Sequence, residues 1–352
     1  MVWYIFASFS PAVALVTACL NGGLWAVVAL LWVTGFVFLA DRIANVLIPL
    51  REDAAALRGA MVLNLCLAIL HLALVPLAVW TLTQDNLSPG AWIALFLAFG
   101  VYFGQVANSN AHELIHTNGR WPRRLGTSVF IALLFGHHVS AHRLVHHVAV
   151  ASDADPNSAR RGESFYHFWP RAWIGSFRAG LQAETRLRQR KSETPPIWTH
   201  PYVGYVGGAF LCLALAGVIA GWRGVIVYVV LTGHAQMLLL LADYVQHYGL
   251  RRRKREDGTL EPAGLRHSWN ATPWYSAAMM LNAPRHSDHH MNPARRFPAL
   301  RLDPDTMPVL PRSLPVMAII AMVPPLWRQM MDWRLDAVQS GTDGAARGNL
   351  QH

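Results

Sequence analysis

The chain has little cysteine and little charge. Cys19, Cys66 and Cys212 are the three cysteines in 352 residues, each inside an apolar run and none in a CxxC pair. That spacing excludes a disulfide framework and an iron–sulfur or rubredoxin-type site. No flavin- or nicotinamide-binding motif is present either. Charged residues make up only 14% of the chain, 20 acidic against 30 basic. What fills the space is apolar: 53% of residues are hydrophobic, with 14 Trp and 14 Phe, the composition of a polytopic membrane protein. The formal net charge of +10 comes almost wholly from arginine. Positive-inside bias, anionic lipid and an acidic protein partner each account for such an excess. Nucleic acid is not an expected partner, because the basic residues flank apolar runs and form no separate domain.

Runs long enough to cross a bilayer, about 17–25 residues each, occur near 2–20, 23–40, 60–82, 91–109, 202–221 and 224–246. The expected fold is therefore all-α, a six-helix membrane bundle in one domain over 1–340, with a disordered Gly/Ala-containing tail at 341–352. The first run lacks a basic leader region and meets the second through Asn21-Gly22-Gly23, so a helical hairpin is expected there, not a cleaved signal. The polar segments 41–59, 108–200 and 247–312 hold most of the arginines, among them Arg120, Arg123, Arg124, Arg160, Arg161 and the run Arg251 to Arg255. The positive-inside rule makes these segments and both termini cytoplasmic. Residues 125–136 are too short to span, and 313–328 are interrupted by Pro315, Pro324 and Pro325. Both are expected to lie at the cytoplasmic face.

Eight of the 17 histidines fall in three short windows: His112 and His116; His142, His146 and His147; His286, His289 and His290. At helical spacing, residues three or four apart share a face. Neutral imidazole is a common ligand for iron, zinc and copper. Chance surface histidines do not cluster three times on one side of a membrane. Taken alone, His112-Glu113-Leu114-Ile115-His116 matches a zinc-protease pattern, but that reading leaves six clustered histidines idle. His71 and His234 lie mid-span; His167, His200, His267 and His352 lack partners; His137 and His138 suit a supporting role better than ligation.

The order HxxxH, HxxxHH, HxxHH is the tripartite box of membrane di-iron oxygenases and desaturases. The HELIH phrase, Asp155 to Tyr166, Asp243 to Leu250 and Arg285 to Asn292 together resemble the alkane 1-monooxygenase family over roughly 91–300. The resemblance implies six membrane helices and two non-haem irons held by nine histidines, the ninth being His247. It implies O2-dependent terminal hydroxylation of an alkane, with electrons from a rubredoxin- or ferredoxin-type donor and its reductase. Glu113, Asp155, Glu163, Asp243 and Asp288 are the carboxylates placed to support the ligands. Where the family usually has Glu before the second box and before the ninth histidine, this chain has Ala141 and Gln246; Val145 replaces a usual glycine.

An oxidant for an unactivated C–H bond must meet an apolar chain away from bulk water. A metal site under the mouth of a helix bundle does this, and Trp32, Phe36, Phe99 and Phe103 are candidates to limit chain depth, though packing is the commoner role of such residues. Related chemistries on the same boxes are fatty-acid desaturation, aryl-methyl hydroxylation and decarboxylation to 1-alkenes. A histidine-rich metal transporter is the remaining class, and it should carry more mid-membrane polar ligands than His71 and His234.

Overall fold

A computed structural model describes residues 1–43, 50, 52–193 and 195–340. The tail expected to be disordered, 341–352, lies outside them. Among the described residues the fold is all-α. Five segments are long and apolar enough to cross a membrane: α1 (Val2–Asn21), α2 (Leu24–Ile43), α3 (Ala54–Leu82), α4 (Pro89–Ile115) and α8 (Pro201–His247). The expected hairpin between α1 and α2 turns on Gly22 and Gly23, at φ 61° and 51°, a region that glycine enters without penalty. Asp53 caps α3 by accepting from Ala56 N at 2.9 Å. Ser88 does the same for α4, with Pro89 in its first turn.

The 47 residues of α8 are not one straight rod. A continuous helix of that length would run about 70 Å, more than twice a ~30 Å hydrocarbon core. The helix breaks at Ala220 and Gly221, the latter at φ 59°. Across the break a Cβ on Gly217 would sit 3.6 Å from Val225 Cγ2. Residues eight apart in an unbroken helix are about 12 Å apart, so the element bends sharply. The two expected runs, 202–221 and 224–246, are its two arms.

Shorter helices close the end of the bundle where α4 and α8 finish. They are α5 (Arg120–Ala132), α6 (138–149), α7 (Phe165–Gln189), α9 (Trp274–Met279), α10 (His286–Met291), α11 (Leu314–Ala321) and α12 (Pro324–Ser340). The prolines of 313–328 begin helices and do not interrupt one: Pro315 is in the first turn of α11 and Pro324 opens α12. In that position the missing N–H costs nothing. The amphipathic α7 buries Phe165, Phe168, Ala172, Ser176 and Gly180, a spacing of three or four.

Candidate metal centre

Four elements deliver nine histidines to one place. His112 and His116 sit at the end of α4, past a wide turn at Phe103–Ala107 where the helix takes π geometry. A second π turn is the second histidine box itself, His142–His146, closed by a bond from His147 N to His142 O. In a regular α-helix, residues five apart point about 140° away from each other. Widening the turn brings His142 and His147 onto one side, their Nε2 atoms 2.9 Å apart, and leaves His146 aimed elsewhere. Such turns recur at functional sites. In α10, His286 and His290 share a face and His289 points to another.

The result is two sets. His112, His116, His142, His147 and His289 form one; His146, His247, His286 and His290 form the other, with ligand atoms in each set within 4.8 Å of one another. Nε2 atoms face each other at 2.7 Å (His112 and His142), 3.1 Å (His147 and His289), 3.0 Å (His247 and His286) and 3.1 Å (His286 and His290). His116 Nε2 and His146 Nε2 are buried with no protein partner. Lone pairs cannot crowd like this without a proton or cation between them. Burial holds His142, His147, His286, His289 and His290 well below the ordinary histidine range, so their rings are neutral at pH 7, the state that binds a metal. His146 differs. Burial lowers it too, but the Asp155 carboxylate 2.9 Å from Nδ1 outweighs burial and raises it. That hydrogen bond fixes the proton on Nδ1 and turns Nε2 to the set. All-nitrogen donor sets, buried or half-buried and with neutral rings except where Asp155 favours a proton on His146, fit two transition-metal ions such as iron.

The fatty acid desaturase family model matches residues 87–319. An alkane 1-monooxygenase of Acinetobacter baylyi is 35% identical over 69% of this chain and 59% of its own length. Alkane 1-monooxygenase 1 of Pseudomonas aeruginosa is 32% identical over 78% of this chain and 74% of its own. The chain belongs to the alkane 1-monooxygenase family. A xylene/toluene monooxygenase hydroxylase component of Pseudomonas putida is similar at 28% identity over 62% of the chain. The chain thus spans a little over half the length of the Acinetobacter relative.

Of the five carboxylates named from the sequence, only Asp155 bonds one of the nine histidines among the described residues. It is held in turn by Ser158 Oγ at 2.6 Å and Asn157 N at 3.0 Å. Asp243 accepts from Asn157 Nδ2 at 2.7 Å, one residue removed from that cluster. Glu113 accepts from Phe297 N at 3.2 Å, which ties α4 to the chain after α10. Glu163 faces Arg171 and His167, and Asp288 faces Arg295, Asn292 and Arg301 N. These two brace loops and touch no ligand histidine. Ala141 is buried where α7 passes closest, since a Cβ on Gly180 would meet Ala141 N at 3.0 Å. Gln246 donates to Ala283 O at 3.3 Å.

Outside the two sets, His138 stacks on His142 with ring centres 5.0 Å apart, and His137 packs on Phe135, Trp173 and Phe177. His71 lies edge-on to Phe103 and His234 stacks on Phe96. A cavity of about 60 Å³ adjoins the site; its wall includes His112, His142 and His286 together with Leu238, Leu314 and Ala318. None of Trp32, Phe36, Phe99 and Phe103 lines it. Trp32 stacks on Phe36 and bonds Ser10, while Phe99 and Phe103 are wholly buried in the core. In the cavity wall Leu238 rests on Gly104, close enough that a Cβ there would meet Leu238 Cβ at 2.7 Å. Sequence reading missed Gln105 and Asn108 in the cavity wall. Two amides inside an otherwise apolar span were the available signal.

Proposed function

We propose that this chain is a membrane-embedded monooxygenase that hydroxylates the terminal carbon of an alkane. Two irons are held by the nine histidines, five by His112, His116, His142, His147 and His289 and four by His146, His247, His286 and His290. The observation that carries this reading is the division of three histidine boxes and His247 into two compact all-histidine sets. Bound there, the irons would supply, with O2 and two electrons, the oxidising power that an unactivated C–H bond requires; in the overall reaction one oxygen atom is inserted into that bond and the other, with two protons, becomes water. The chain's own work is to hold, orient and dry the site. Asp155 fixes the His146 tautomer, which strengthens Nε2 as a ligand. The apolar wall of Leu238, Leu239, Ala242 and Met280 aligns an alkyl end against the histidines and keeps bulk water out. No lysine or arginine lines the cavity among the described residues, which favours an uncharged chain end there over a carboxylate.

The arms of α8 each cross the bilayer in this reading, giving six crossings, with the site and both termini cytoplasmic in a bacterial inner membrane. Electrons come from a separate small acidic carrier of the rubredoxin or ferredoxin class with its reductase. The similarity to a xylene/toluene monooxygenase component favours a second substrate class, aryl methyl groups. Whole cells expressing the chain, fed alkanes, alkylbenzenes and fatty acids, should yield 1-alkanols by mass spectrometry, and the purified protein should hold about two irons. Benzylic alcohols alone would move the assignment to the aryl-methyl class. Stoichiometric zinc with no oxygenated product would sink both.

A further inference from the structure

The cavity wall contains something an alkane does not need. Gln105 and Asn108 both line it, and neither side chain makes a hydrogen bond to any described residue. Their carbonyl oxygens, Gln105 Oε1 and Asn108 Oδ1, are buried without a partner. The neighbouring Asn110 donates to Asn64 O at 3.0 Å, which ties it to α3, although its Oδ1 is also buried without a partner; what sets Gln105 and Asn108 apart is that they line the cavity. An unmet carboxamide in an apolar site is costly, and a plain hydrocarbon chain seals that cost in.

Their placement is specific. Asn108 and Gln105 precede His112 by four and seven residues on the same helix, so they stand about 6 Å and about 10 Å from it along the axis. A chain whose end lies against the histidines passes both amides within its first several carbons. With no lysine or arginine in the wall an anionic group is disfavoured, and the one carboxylate there, Asp243, already accepts from Asn157 Nδ2, so an uncharged polar group suits the two amides best. A hydroxyl suits both ends of a carboxamide, donating to C=O and accepting from N–H, and so serves whichever way each amide is turned.

We propose that the cavity takes an alkyl chain bearing a hydroxyl a few carbons from the oxidised end, held by Gln105 and Asn108. The inference rests on the hydroxylase reading above and names its substrate class. The reaction is unchanged in balance: the terminal C–H bond breaks and a C–O bond forms with one atom of O2, the other atom leaves as water with two electrons from the donor and two protons from solvent, and the product is a diol.

The test is a positional scan with the iron-loaded enzyme in membranes. A linear alkane is compared with its own alkanols, the hydroxyl moved one carbon at a time. One internal position should exceed the parent alkane in kcat/KM by about tenfold, the worth of a hydrogen bond to a buried amide. Equilibrium binding to the unreduced, anaerobic enzyme should peak at the same isomer. In Gln105→Leu and Asn108→Leu that peak should flatten towards the alkane; Gln105→Met and Asn108→Ser serve the same purpose if the leucine variants fold poorly. Equal binding and oxidation of the alkane and every isomer by the unaltered enzyme overturns the inference while leaving the hydroxylase reading intact, and shows that water occupies the amides. Oxidation of no alkane or alkanol overturns the hydroxylase reading itself.

Discussion

His247 and His234 lie on one arm of α8, thirteen residues apart. At 1.5 Å per residue that is about 20 Å. His247 is fully buried in the four-histidine set, its Nε2 3.0 Å from that of His286. His234 stacks on Phe96 above Gly100, far from either set. His247→Ala should therefore lose iron and turnover, whereas His234→Ala should keep its iron and alter only substrate preference; iron analysis of both purified variants decides. A His247→Ala protein with full iron and normal turnover would reduce the site to eight histidines. The sequence names eight of the histidines by their boxes and His247 through the family resemblance, but the division between sets is not legible there. It depends on the π turn at His142–His146, and no periodicity of three or four announces an i, i+5 pairing.

Among the elements, α12 bears on the metal centre without contributing a ligand. It packs on the turn that follows His247: Tyr248 Oη donates to Asp332 at 2.8 Å, and Gln339 Nε2 donates to Gly249 O at 3.2 Å. Gly249 sits at φ 71°, with Leu335 filling the space where a Cβ would go. Gly249→Ala must therefore pay twice, in backbone strain and in overpacking, about 1–3 kcal/mol. The expected outcome is a lower thermal midpoint together with weaker iron retention, measured by unfolding in detergent and by metal analysis after dialysis. A midpoint within error of the parent would show that α12 yields freely. Long apolar helices were readable from composition because twenty apolar residues in a row leave few alternatives. The α7 helix was not, since Pro170 and scattered arginines hide a stripe of Phe165, Phe168, Ala172 and Ser176 that only packing reveals. The break at Gly221 was legible as a boundary between two runs.

At the scale of the molecule, charge sits apart from chemistry. Arg252 Nη2 donates to Val148 O and Arg253 Nη2 to Gln339 O, so part of the basic run braces the chain beside the second box and α12. Lys254, Arg255 and Arg266 are exposed and make no side-chain hydrogen bond among the described residues. An acidic electron carrier that docks here should reduce the enzyme more slowly as salt rises, because screening acts over about 8–10 Å. Reversing these three to Glu should slow reduction several-fold and flatten its salt dependence, with iron content unchanged, in stopped-flow reduction of the purified enzyme. Unaltered rates at every ionic strength would place docking elsewhere.

The two histidine sets are not two separate sites that happen to be neighbours. One box gives His142 and His147 to the first and His146 to the second; α10 gives His289 to the first and His286 with His290 to the second. Each segment must therefore settle once for both sets. Filling either position fixes backbone that the other position also needs, so the ordering entropy is spent on the first ion and spared for the second. Loading should be cooperative: at half-saturating iron, chains should hold two ions or none, and native mass spectrometry should find the singly loaded form scarce. A dominant one-iron population would show that the shared segments bend independently for each ion.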